Sequence, residues 1–216
     1  MQTRTAGHAS PRAELDRHLT AMRDDLLRLG GRVDTAIDRA MTALLHHDRS
    51  LAREVLEADG TINTRRYQLE EACLVLIATQ QPVASDLRRT LATMHIAGDL
   101  ERMGDHAAGI AYITTQLDAQ ARLPLDNFGR MAEAVRRMLR NSLYAFTYGD
   151  LEQANRVVAM DDQIDQFYQL NVRNLLTYMM EDRRIVPEAT YLLWVSHNLE
   201  RIGDHCVNVS ERTLPR

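Results

Sequence analysis

An all-α fold of two tandem, pseudo-symmetric three-helix bundles, six long helices in total, is predicted by three features of the sequence. Only 10 Gly and 5 Pro occur among 216 residues, too few for the many turns of an all-β chain. Ala, Leu, Arg, Glu and Met, which favour helix, dominate the long segments. The third feature is an internal repeat. Asp48-x-x-Leu51-Ala52-x-x-Val55-x-x-x-Asp59-x-x-Ile62 returns as Asp150-Leu151-x-x-Ala154-x-x-Val157-x-x-x-Asp161-x-x-Ile164. Leu100-Glu101-Arg102-Met103-Gly104-Asp105-His106 returns as Leu199-Glu200-Arg201-Ile202-Gly203-Asp204-His205.

Apolar residues recur at three- and four-residue steps between breakers, which divides each half into three helices. The first runs over about 11–47. Asp48 caps a second that reaches about 80, and Gln81-Pro82 turns the chain into a third over about 84–118. Pro124 opens the second half. Its helices are expected over about 126–148, 151–182 and 187–212, broken at Gly149-Asp150 and at Pro187. The two units therefore span residues 11–120 and 124–212. Short connections make successive helices antiparallel neighbours, so each unit is an up-down-up bundle.

The chain is 45% hydrophobic and 26% charged, with a formal net charge of −4. All 26 basic residues are Arg, a bias that codon usage in a G+C-rich genome explains more simply than a demand for planar ion pairs. They alternate with Asp and Glu and form no concentrated basic face, which argues against nucleic acid. Cys73 and Cys206 sit in apolar helical contexts and read as free buried thiols of a reducing compartment. The N-terminal residues lack the apolar core of a secretory signal. The longest apolar run, 72–78, is far short of the roughly 20 residues of a membrane span, so no direct membrane insertion is expected. A cytoplasmic location follows as the expectation.

Glu101 and Asp105, four residues apart, project from one helix face, as do Glu200 and Asp204. Helix two of the second half adds Asp161 and Asp165, and that of the first adds Asp59, with Asn63 where a second acid would stand. In an antiparallel hairpin, facing residues are equidistant from the turn. Asp59 and Asp105 are equidistant from Pro82, as are Asn63 and Glu101; Asp161 and Asp204 match across the second turn to within one helical turn. Carboxylates gathered at one level repel unless a cation neutralises them. Mg, Ca, Mn, Fe or Zn would serve, while Arg65, Arg66, Arg102 and Arg201 could instead make this a plain ion-paired surface. Gly104 and Gly203, mid-helix beside the acids, imply close approach of a neighbouring helix or of metal. His106 and His205 follow each Asp at i+1, about 100° around the helix, and are not expected as ligands.

A ferritin-like, carboxylate-bridged dimetal enzyme would need Glu-x-x-His, and residues 104 and 203 are both Gly. Neither a Gly-rich phosphate loop nor a nucleophile with an oriented base is apparent. The chain is therefore not expected to be an enzyme. A metal-free helical scaffold is the other alternative.

Gln80-Gln81-Pro82-Val83-Ala84-Ser85-Asp86-Leu87-Arg88-Arg89, then Asp99-Leu100-Glu101-Arg102-Met103-Gly104-Asp105-His106 and Asn198-Leu199-Glu200-Arg201-Ile202-Gly203-Asp204-His205, resemble the PhoU family of phosphate transport regulators. The likeness extends over about residues 14–212 and includes the repeat. It implies multinuclear iron or zinc clusters held at the bundle surface by Asp59, Glu101 and Asp105 in the first repeat and by Asp161, Asp165, Glu200 and Asp204 in the second. Asn63 departs from the pattern; an uncharged amide oxygen binds metal more weakly, so the first site would hold fewer ions. The resemblance also implies negative regulation of phosphate uptake and of phosphate-starvation signalling. The implied partners are the ATPase subunit of a phosphate ABC transporter and a phosphate sensor histidine kinase. Helices apolar on two faces leave one for the core and one for a partner or a second copy, so a homodimer is expected.

Overall fold

The computed structural model describes residues 11–118 and 123–214. The N-terminal segment read above for a secretory signal, and the end of the first expected unit at 119–120, lie outside the described residues. Six α-helices follow in order: α1 (Pro11–Leu45), α2 (Arg49–Gln80), α3 (Ser85–Gln116), α4 (Asp126–Tyr148), α5 (Leu151–Glu181) and α6 (Val186–Glu211). A single 3-10 turn, Arg183–Ile185, precedes α6.

The caps are those the sequence supplies. Asp48 accepts from the backbone N–H of Ser50 and Leu51 at 2.9 and 3.0 Å, and Asp150 accepts from Gln153 N–H at 2.9 Å. Each satisfies N–H groups that the first helical turn leaves unpaired. Gly149, at φ +67°, ends α4 in the left-handed region that glycine enters without steric cost. Pro187 lies in the first turn of α6, where no helical N–H is lost.

Within each repeat all three helices touch one another. Across the repeats α1 packs on α4 and α3 on α6, while α2 and α5 stay outside this central layer of four. Both cross-repeat pairs are antiparallel: Gly30 meets Leu143 and Leu45 meets Gly129 along α1 and α4, and Asp99 meets His205 and His106 meets Asn198 along α3 and α6. Leu29, Val33, Ile37 and Leu44 of α1 join Met131, Val135 and Leu139 of α4 and Ile96, Leu100, Leu199 and Ile202 in one continuous apolar core.

Polar contacts fasten both seams. Arg136 of α4 grips Asp34 of α1 through two bonds, Nε to Oδ1 at 2.9 Å and Nη2 to Oδ2 at 3.1 Å, and reaches Asp38 with Nη1 at 2.5 Å. Between α3 and α6, His205 Nδ1 lies 3.0 Å from Asp99 Oδ1 and His106 Nδ1 lies 2.9 Å from Asn198 Oδ1, with ring centroids 5.9 Å apart. Burial lowers the His106 pKa, partly offset by the Asn198 bond. No helix among the described residues is long and apolar enough to cross a membrane.

Candidate metal centre

Two helical hairpins, α2–α3 and α5–α6, carry the acids. Position 104 fixes the register of the first: a Cβ on Gly104 would lie 3.1 and 3.2 Å from the Ile62 side chain and 3.7 Å from Asp59 Oδ1. The second hairpin repeats this contact. A Cβ on Gly203 would meet Ile164 Cγ2 at 3.4 Å and Asp161 Oδ1 at 3.6 Å. Close approach of the middle helix thus accounts for Gly104, while at Gly203 the matching isoleucine and aspartate sit at ordinary van der Waals distance. Asp59 stands opposite the Gly104–Asp105 step, as its distance from the turn predicts.

In the second repeat Asp161 feels the charge of all three other predicted acids. Burial, then Asp165, Asp204 and Glu200 in that order, push the Asp161 carboxyl up to about 6. Glu200 is also raised, by burial first and then by Asp204, against the opposing pull of Arg201 and His197. Arg201 donates to Asp204 Oδ2 at 2.9 Å and brings Nε to 3.4 Å from Glu200 Oε2, so one of the four arginines considered as neutralisers does reach this cluster. Arg66 pairs instead with Glu70, and Arg65 donates to Gln68.

The first repeat is thinner. Asp59 is raised by burial and then by the charge of Asp105. Glu101 lies one turn back along α3 and is not among the groups that shift Asp59. Asn63, at the position of Asp165, contributes no charge.

Three oxygens in these clusters are buried and make no hydrogen bond: Asp59 Oδ1, Asn63 Oδ1 and Glu200 Oε2. Glu200 Oε2 still has ion-pair contacts with Arg201 and His197, but Asp59 Oδ1 and Asn63 Oδ1 have none, and a buried acceptor without a partner costs about 1–3 kcal/mol. Oxygen donors of this kind suit a hard or borderline cation. The residues fit such an ion in chemistry and charge, although among the described residues no three His, Cys, Asp or Glu side chains form a ready-made group for one ion. His106 and His205, one residue beyond each cluster, turn toward the other repeat, as their i+1 spacing requires.

Fold and site together define a duplicated three-helix-bundle protein with one carboxylate-bearing hairpin per repeat. A family model described as "PhoU domain" matches residues 26–114 and again 128–213. The chain is 38% identical over 203 residues to the phosphate-specific transport system accessory protein PhoU homolog of Pseudomonas putida, covering 93% of this chain and 79% of that one. It superposes on the crystal structure of PhoU from Pseudomonas aeruginosa with a TM-score of 0.88 at 34% identity, covering 92% of this chain and 96% of that one. The phosphate transport system regulatory protein PhoU from Streptococcus pneumoniae gives a TM-score of 0.87 at 32% identity, with 92% and 94% covered. The chain belongs to the PhoU family. The relatives named here are transport accessory and regulatory proteins by name, not enzymes.

Proposed function

We propose that this chain is a metal-binding helical adaptor that restrains phosphate uptake and phosphate-starvation signalling. The observation that carries the metal-dependent part is the repeated pairing of Asp59 with the Gly104–Asp105 step and of Asp161 with the Gly203–Asp204 step, each beside a buried oxygen that makes no hydrogen bond. Asp161, Asp165, Glu200 and Asp204 would hold the ions of the second repeat, and Asp59, Glu101 and Asp105 those of the first, as an iron or zinc cluster. A bound cation supplies the positive charge that relieves repulsion among these acids. Asn63 leaves the first site one charge poorer.

The names of the relatives support phosphate transport as the regulated process. The ATPase subunit of a phosphate ABC transporter and a phosphate sensor histidine kinase are the partners in this reading, on the cytoplasmic side of the membrane. Tyr67, Leu74 and Val75, exposed along α2, offer apolar surface for such a partner or for a second copy.

Deleting the gene is expected to leave phosphate-starvation genes expressed in high phosphate, and unchanged repression would refute the regulatory reading. In the purified chain, Glu200→Gln with Asp204→Asn is expected to remove metal from the second repeat while helicity survives. Full metal retention would show that other residues hold it. A metal-free scaffold is the second reading, favoured by the Arg201–Asp204 pair, and it predicts less than about half an equivalent of transition metal in protein purified without chelator.

A further inference from the structure

A groove of about 720 Å³ opens between α1 and α2, with α3 as its floor. We propose that it binds a nucleoside polyphosphate. Its volume lies within the roughly 300–1,000 Å³ of small-molecule sites, and it would take less than two turns of a helix about 10 Å across. Leu29, Val55, Ile62 and Ala108 give it an apolar lining suited to a planar base.

Four arginines, Arg28, Arg32, Arg39 and Arg65, line it. The Arg39–Glu54 ion pair sets the register of α1 against α2. Arg65 lies as far beyond Glu54 along α2 as Arg28 lies before Arg39 along α1, so Arg65 stands level with Arg28 and one turn from Arg32. Of these three, Arg28 is paired with Asp25 at 2.6 Å. Arg65 donates only to the neutral Gln68 at 3.2 Å, and among the described residues Arg32 has no hydrogen-bond or ion-pair partner. Two planar guanidinium groups without a counter-charge are suited to a phosphate chain. Midway along the groove, level with Asp34 in the same register, stands Asp59, whose unpartnered Oδ1 repels an anion but accepts from a sugar hydroxyl or base amine. Phosphates are placed at Arg32 and Arg65, with a sugar hydroxyl or base amine turned to Asp59.

The second repeat has the same fold with the gap bridged. Aligning Asp48 with Asp150 and Asp59 with Asp161 puts Arg137 and Gln163 at the positions of Thr35 and Thr61, and Ala134 and Phe167 at those of Arg32 and Arg65. Arg137 Nη2 reaches Gln163 Oε1 at 3.5 Å across α4 and α5. An open groove with unneutralised arginines is thus a property of the first repeat and not of the fold.

The test is calorimetric titration of the full chain with ATP and with GTP in EDTA, which keeps metal at the acid clusters out of the measurement and makes the result independent of the metal reading. One of the two is expected to bind tighter than about 0.1 mM, with adenosine and inorganic phosphate at least about 10-fold weaker. Arg32→Ala with Arg65→Ala should weaken binding at least about 10-fold. Thr35→Arg with Thr61→Gln should abolish it by rebuilding the bridge of the second repeat, although this variant gains positive charge. Circular dichroism verifies that both variants keep their helices. The proposal is overturned if neither nucleotide binds below about 0.1 mM, if either variant binds as tightly as the parent, or if a Glu-rich peptide binds and the nucleotides do not.

Discussion

Replacing Asp161 by Asn is expected to stabilise the metal-free protein. Burial and the neighbouring acids raise the Asp161 carboxyl from 3.8 to about 6. At about 1.4 kcal/mol per pKa unit the whole shift corresponds to about 3 kcal/mol against the ionised native state. Partial solvent screening of this half-buried side chain brings the expectation to about 1.5 kcal/mol. Between the unfolded value of 3.8 and the folded value of about 6 the native chain holds more protons than the unfolded one. Stability therefore falls as pH rises through that window and stays low above it. The gain from Asn should accordingly be complete at about pH 7.5 and about half as large at pH 5. Urea unfolding in EDTA at both values measures it, and thermal melts should move by about 3–6 °C for a chain of this size. Unchanged or lowered stability at the higher pH, or a gain that does not shrink on acidification, would refute the electrostatic account of the cluster.

Two further expectations rest on other parts of the fold. Arg136→Ala, which leaves Asp34 with only the longer 3.3 Å contact to Arg140, should cost about 1–2 kcal/mol by urea unfolding and less at high salt; a change below about 0.3 kcal/mol would mean the α1–α4 clamp is idle. Burial pushes the Cys73 thiol up to about 11 and raises Cys206 as well, so neither should react with a thiol reagent at pH 8 until urea unfolds the chain; prompt labelling of the native protein would contradict their burial.

Much of this architecture was legible because its signals are local. Asp48, Gly149, Asp150 and Pro187 each act within one or two helical turns, and the structure uses each as a cap or a break. Helix ends came within a residue or two, with α1 stopping at Leu45 where the sequence suggested about 47. The pairing of Asp59 with the Gly104–Asp105 step was readable because a tight turn fixes hairpin register almost by itself. Contacts across the repeats were not legible. Asp34 with Arg136 and Asp99 with His205 join residues about a hundred positions apart, and no turn sets their register. The groove between α1 and α2 was hidden for a related reason: residues of three helices line it, among them the small Gly31 and Thr35, which leave no periodic trace. Arg201, by contrast, was correctly suspected as a neutraliser, because three residues along a helix suffice to place it beside Asp204.

The histidine seam joins the two acid clusters by a very short route. His106 follows Asp105 directly and rests on Asn198, two positions before Glu200; His205 follows Asp204 and rests on Asp99, two positions before Glu101. A rotation of α3 that repositions Asp105 must drag an imidazole seated on α6, and the reverse holds for Asp204. Were both clusters to hold ions as proposed above, whatever change in affinity the first ion caused at the second cluster would be matched by an equal change in the reverse direction.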